Sequence, residues 1–406
     1  MTPHDAITTA LQAYVDKGQL AGASALVWRD GRVAQASCVG WRDLEAGAPL
    51  QRDAIFRIAS MSKPVTSVAA LMLVDQGAIA LDEPIAHRAP EFAHMRVLRS
   101  ADGPLDETDP AARPITFEDL LTHRSGLTYG GIHAGPITPA YAAALGGDID
   151  SPVAPDDWIA GLAALPLIDQ PGASFHYSCS TDLLGLLIAR IDGAPLGEVL
   201  RRRIFDPLGM KDTGFLVPRD QRHRRSAMYG FDEAGKLEQR LTAAGEPFLP
   251  ERPDEMSFES GGQGLWSTLD DYLAFARLFI GGGAVGGVRL LRPETMAAMM
   301  TNRLTDDQRA RADMLGMPVF THHGFGLGVA VVLDPDNAAA IRCKGGVGTV
   351  GWPGAYGGWW QADPTDGAVM VFLAHNLLEL ERLAMGIGLD VYSAITEVHA
   401  LATAPG

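Results

Sequence analysis

Strand-like segments stand at the two ends of this chain and helical ones fill its middle, and that order limits what the chain can fold into. Near the N-terminus, ASALVWRDGRVAQASCVG (residues 23–40) is two apolar runs about Arg29-Asp30-Gly31-Arg32. Asp-Gly between such runs is a strong hairpin signal. From about Ser260 the β patterns return in GFGLGVAVVL (324–333), GGWWQADP (357–364) and GAVMVFLAHN (367–376), and a final helix is expected over roughly Leu383 to Leu401. Between about Leu81 and Gly230, helices alternate with Pro- and Gly-rich loops. One of them opens at Thr116-Phe117-Glu118-Asp119 as a capping-box variant, and another is the apolar run DLLGLLIARI (182–191). The expected architecture is one α/β domain built from residues 1–80 and 231–406, carrying a mainly helical lobe, 81–230. A site between the two parts is the natural place for chemistry.

Composition narrows the function. The 406 residues are 47% hydrophobic and 20% charged, enough for a sizeable core. A net charge of −16, with no basic stripe interleaved with aromatics, argues against nucleic acid as a partner. The longest apolar stretches, such as Ser67–Val74, are far too short to span a bilayer, so no membrane partner is expected. The first twenty residues read as an amphipathic helix with Ile7, Leu11, Tyr14 and Val15 on one face, not as a signal peptide. Three scattered cysteines (Cys38, Cys179, Cys343) make no disulfide framework, which suits a reducing, cytoplasmic setting.

The chain has five lysines against 28 arginines, and Lys63 is the one with a serine three residues before it. In IASMSKPVTS (58–67) an extended run gives way to a helix. Val65, Val68, Ala69, Met72 and Leu73 repeat at helical spacing, Pro64 sits in the first turn, and Gly77 ends the pattern. Residues i and i+3 share a helix face, so the Lys63 amine can reach the Ser60 hydroxyl, a poor nucleophile until something takes its proton. A helix N-terminus also offers free N–H groups to a developing oxyanion. Taken alone, the pair fits an N-cap serine with a snorkelling lysine equally well.

Two further segments shift that balance. FHYSCSTDLLGLLI places Tyr177 in a loop before an apolar helix, and VGTVGWPGAYGGWWQADP places Trp352 in a Gly-rich strand. A Ser-x-x-Lys at a strand-to-helix turn, then a loop Tyr-Ser-x-Ser, then a Gly-flanked strand triplet, resembles the serine β-lactamase and penicillin-binding-protein superfamily. LLTHRSGL (120–127), IFDPLGMKDTGF (204–215) and ESGGQGLWSTLDDY (259–272) resemble its class C branch. The resemblance runs through nearly the whole chain in order. It implies a β-lactamase-like fold, an antiparallel sheet flanked by helices. It also implies Ser60 as the acylated nucleophile, Lys63 as its partner, Tyr177 as the proton shuttle, and the backbone N–H groups of Ser60 and Ala355 as the oxyanion hole.

The departures from the pattern narrow the subfamily. β-Lactamases carry Tyr-x-Asn in the second motif, where this chain has Cys179. The third is Lys-Thr-Gly, where this chain has Trp352-Pro353-Gly354. An anionic β-lactam would lose charge-assisted contacts there. An aromatic wall suits an uncharged acyl or aryl group, so the triplet resembles that of family VIII carboxylesterases. Pro353 also suggests an edge position in the sheet.

Trp352, Gly354, Tyr129 and Cys179 are the expected substrate-binding residues. Trp352 would serve equally as a core aromatic, and Tyr129 as a plain loop residue. His123 reads as structural. The glycine-rich run 346–351 opens no helix and so makes no dinucleotide site, and the adjacent His322 and His323 point apart. No GxSxG elbow is present. The expectation is therefore a serine esterase acting on a small-molecule ester through an acyl-enzyme, with no metal or organic cofactor. An amidase or D-aminopeptidase, a β-lactamase, an acyltransferase and a non-catalytic scaffold are the alternatives, and the oligomeric state stays open.

Overall fold

The computed structural model describes residues 3–130, 132–133, 135–147, 150–240, 257–314, 317–338 and 345–403, so Cys343 lies outside the described residues. The principal elements begin with α1 (Pro3–Asp16), β1 (Gly22–Arg29), β2 (Arg32–Asp43), β3 (Ala48–Pro49) and α2 (Ser62–Asp75). Next come α3 (Phe117–Leu121), α4 (Ile137–Leu145), α5 (Pro155–Ala163) and α6 (Ser180–Asp192). The C-terminal part holds α7 (Leu269–Ile280), β4 (His323–Phe325), β5 (Ala330–Val332), β6 (Val350–Gly354), β7 (Gly358–Asp363), β8 (Ala368–Leu373) and α8 (Leu389–Thr403).

Both chain ends build one eight-stranded sheet in the order β4-β5-β6-β7-β8-β1-β2-β3. Every neighbouring pair is antiparallel, and the ends meet where β1 pairs β8, from Ser24 opposite Leu373 to Trp28 opposite Val369. The period-2 alternation of strands sorts side chains to two covered faces. Ala25, Val27, Trp359, Met370 and Phe372 pack with Ile7 and Leu11 of α1 and with Val391, Ile395 and Val398 of α8. Leu26, Trp360, Val369, Val371 and Leu373 join Val65 and Val68 of α2 and Tyr272 and Phe275 of α7. Because both faces are buried, these strands read as near-continuous apolar runs rather than clean alternation.

Asp30 and Gly31 both take positive φ, 53° and 78°, while Arg29 pairs with Arg32, which is the two-residue hairpin the sequence predicts. Thr116 and Asp119 close a reciprocal capping box on α3. In the helical part, α6 packs against α2, α3 and α5, burying Leu183, Leu184, Leu187 and Ile188.

Three local expectations change. GFGLGVAVVL is two short strands, β4 and β5, because the chain reverses through Gly328 at φ 92°. The last helix starts at Leu389 rather than near Leu383, since Gly386 and Gly388 both adopt positive φ ahead of it. Pro353 lies in an interior strand, not at the sheet edge. However, β5 pairs with β6 only as far as Gly351, so no β5 residue stands opposite the proline. Among the described residues, no helix is long and apolar enough to cross a membrane.

Candidate active site

Ser60 sits where strand becomes helix. Phe56-Arg57 pairs with Trp266-Ser267, and the Ile58 N–H then bonds to the Leu265 carbonyl at 3.0 Å. Ala59 turns the chain at φ 44°, an uncommon conformation for a residue with a Cβ and of the kind found at functional turns. Ser60 occupies a single 3-10 turn, Ala59–Met61, that runs directly into α2. The turn is pinned from α7 and the segment before it: the Tyr272 hydroxyl donates to the Met61 carbonyl at 2.8 Å, and the Leu265 N–H donates to Ser62 Oγ at 3.1 Å.

Two groups converge on Ser60 Oγ. The Tyr177 hydroxyl donates to it at 2.7 Å and Lys63 Nζ donates at 3.3 Å. The ammonium is buried, and its other contacts are the Tyr129 hydroxyl at 3.1 Å and the Gly262 carbonyl at 3.0 Å, so three N–H donors meet three acceptors. Nζ also lies 4.6 Å from the centroid of the Tyr177 ring. Trp352 Nε1 donates to the Tyr177 oxygen at 3.4 Å. The structure thus brings Ser60, Lys63, Tyr177, Tyr129 and Trp352 into one cluster.

Tyr129, expected to bind substrate, is buried and links two polar groups. It accepts from Lys63 and donates onward to Asp182 Oδ2 at 3.1 Å. Asp182 is fully buried, and its carboxyl is raised above the ordinary value chiefly by burial, with the Lys63 charge and hydrogen bonds from Ser260, Gly262 and Tyr129 pulling the other way. His123 is held neutral, its imidazole pushed well below the usual value by burial and by the charge of Lys63. Its Nδ1 lies 3.2 Å from Ser178 Oγ, its ring packs 5.0 Å from that of Tyr177, and its carbonyl accepts from the His176 N–H. These contacts order the loop that presents Tyr177.

The strand end carrying Ala355 is pressed against the nucleophile turn. A Cβ on Gly354 would lie 2.5 Å from the Ile58 carbonyl oxygen, and one on Gly358 would lie 2.6 Å from Met61 Sδ. Gly354, expected to bind substrate, therefore has a close-approach role: only a residue without a side chain lets β6 reach the turn. Trp352 is packed edge-to-face on Phe325 at 5.3 Å with 2% of its surface exposed, so its polar edge addresses Tyr177 rather than a wide pocket wall. Cys179 is buried at the start of α6 within the apolar core that also holds Tyr129 and Tyr141. The residue that sequence reasoning missed is Asp182. A lone acid in an apolar helical run, five positions after the loop tyrosine and matched by the Gly-Gly of ESGGQG, was its signal. No group of three His, Cys, Asp or Glu side chains arranged for a metal ion occurs among the described residues.

Comparison with known proteins finds relatives along nearly the whole chain. The Beta-lactamase family model matches residues 7–387. A protein of Mycobacterium tuberculosis described as uncharacterized is 46% identical over 376 residues, covering 93% of this chain and 91% of its own length. Esterase EstB of Burkholderia gladioli is 32% identical over 377 residues, covering 89% of this chain and 87% of its own. Among solved structures, EstCE1, a hydrolase with promiscuous acyltransferase activity, superposes with a TM-score of 0.76 at 26% identity, covering 97% of this chain and 98% of that one.

Proposed function

The chain belongs to the beta-lactamase family, and from that premise we propose that it is a serine hydrolase that cleaves carboxylic esters of short-chain or aryl type. The observation that carries the reading is Ser60 Oγ held between the Tyr177 hydroxyl at 2.7 Å and Lys63 Nζ at 3.3 Å, with Trp352 in the place of the third-motif cation. The similarity to an esterase at 32% identity supports the substrate class.

In this reading Tyr177 acts as the base once its own hydroxyl proton has left to solvent: Ser60 Oγ adds to the ester carbonyl carbon as the serine proton passes to the Tyr177 oxygen. The neighbouring Lys63 ammonium offsets the negative charge that this oxygen carries before it takes the proton. The carbonyl oxygen, now anionic, accepts from the backbone N–H groups of Ser60 and Ala355. Tyr177 then gives its proton to the departing alkoxide, the C–O bond breaks, and alcohol leaves an acyl group on Ser60. Water repeats the sequence: it passes a proton to Tyr177, adds to the acyl carbon, and the proton returns to Ser60 as the carboxylic acid departs. An alcohol in place of that water would give a new ester, an acyl transfer of the kind named for EstCE1.

Ser60→Ala should abolish turnover of p-nitrophenyl butyrate, and a fluorophosphonate adduct should map to Ser60. Retention of normal turnover by Ser60→Ala would overturn the reading. Faster turnover of nitrocefin or a D-alanyl anilide than of short-chain esters would move the substrate class to amides.

A further inference from the structure

We propose that Asp182 is a positioning residue for Lys63, fixing both of the acceptors that hold the lysine besides Ser60. The inference rests on the nucleophile assigned above and extends it to a residue one layer behind.

The carboxylate reaches the lysine by two routes. Its Oδ2 accepts from the Tyr129 hydroxyl at 3.1 Å, and the oxygen of that hydroxyl accepts from Lys63 Nζ at 3.1 Å. Its Oδ1 accepts from the Gly262 N–H at 3.0 Å, and the Gly262 carbonyl accepts from Nζ at 3.0 Å. The Ser260 hydroxyl also donates to Oδ1. Three donors converge on two oxygens, a set that suits the anion. Asp182 lies in the first turn of α6, where the helix dipole favours negative charge as well. Among the described residues no carboxylate forms a direct ion pair with Lys63, so the charge of Asp182 acts through Tyr129 and the 260–263 loop.

That loop is seated by glycine. A Cβ on Gly262 would lie 2.6 Å from Asp182 Oδ2, and one on Gly261 would lie 2.8 Å from the Thr181 carbonyl and 3.2 Å from Gly185 Cα. From α2, the Thr66 hydroxyl clamps the Gly261 carbonyl at 2.7 Å. An ammonium has three N–H groups. With two of them committed to rigid acceptors, the third has one direction left, toward Ser60 Oγ. Asn at position 182 would put an NH2 where an acceptor stands and turn one of the three donors away, loosening that arrangement.

The test is Asp182→Asn in the full chain, read by melting temperature, by kcat and KM on p-nitrophenyl butyrate, and by the rate of fluorophosphonate labelling at Ser60. The expected result is a folded variant whose kcat and labelling rate both fall about 100-fold while KM stays within about threefold. A purely structural role would lower the melting temperature without that split. Tyr129→Phe should lower the same two rates about tenfold, and the double variant should be no slower than Asp182→Asn alone, because the residues act as one chain. Labelling of folded Asp182→Asn at the wild-type rate overturns the proposal. If Asp182→Asn does not fold, labelling of Tyr129→Phe at the wild-type rate overturns it. Wild-type protein that labels at Ser60 without turning over esters would sink the ester reading alone, and the labelling rates would still decide Asp182. Wild-type protein that forms no adduct at Ser60 overturns both.

Discussion

Trp352 donates its indole N–H to the Tyr177 oxygen at 3.4 Å, and that same oxygen is hydrogen-bonded to Ser60 Oγ at 2.7 Å. The indole therefore gives a neutral donor to an oxygen that must carry charge during proton transfer, where the family pattern places a cation. Tyr177→Phe removes the shuttle while keeping the ring, and kcat should fall by about 10² to 10⁴ with KM little changed. Trp352→Phe removes one neutral hydrogen bond and should cost about tenfold or less. Steady-state kinetics on p-nitrophenyl butyrate checks both, and equal losses in the two variants would contradict the assignment of the shuttle to Tyr177.

Lys63 fills a pocket with three acceptors set for a compact ammonium: Ser60 Oγ, the Tyr129 hydroxyl and the Gly262 carbonyl. Arginine carries the same charge on a planar fork that does not match this arrangement. Lys63→Arg should thus be nearly as inactive as Lys63→Met, each down by about 10² or more in kcat. A Lys63→Arg enzyme with near-normal kcat would show that charge alone suffices.

The elements that were legible in the sequence are those whose signal is local. The Asp30-Gly31 turn, the Thr116–Asp119 capping box and the Ser60–Lys63 spacing each depend on residues within four positions of one another. Tyr177 could be placed near Ser60 only through resemblance, since 117 residues separate them. What stayed hidden depends on long-range approach. The Gly354 contact with Ile58, the Gly262 contact with Asp182 and the role of Tyr129 as a link all require knowing which backbones touch. Pro353 misled for the same reason: the proline correctly marked a missing ladder partner, but what ends there is β5, not the sheet.

Gly354→Ala tests the close approach directly. Its Cβ would meet the Ile58 carbonyl oxygen at 2.5 Å, a backbone atom that cannot swing aside. The strand end must retreat, at a cost of about 1–3 kcal/mol in stability. Since Ala355 follows directly, its N–H would leave the position expected for the oxyanion, lowering kcat by up to about 10²–10³. Calorimetry and kinetics on the same sample should show both losses, and an unchanged melting temperature would refute the steric argument.

Asp271, in the first turn of α7, gives a pH-dependent stability with a definite sign. Burial pushes its carboxyl from 3.8 up to about 6, against the hydrogen bonds it accepts from the Asp212 N–H at 2.8 Å and the Thr213 hydroxyl at 2.9 Å. Between these values the folded chain keeps a proton that the unfolded chain has released. The associated stability is therefore present below about pH 4 and lost as pH rises through about 6. Asn retains an oxygen to accept from Asp212 and Thr213 but does not titrate. Asp271→Asn should then be more stable than wild type at pH 7.5, by about 1–2 kcal/mol once the loss of the charge on these hydrogen bonds is allowed for. The gap should close toward pH 4.5. Thermal denaturation of both proteins across that range checks it, and melting temperatures that run parallel from pH 4.5 to 7.5 would show that Asp271 does not titrate in this window.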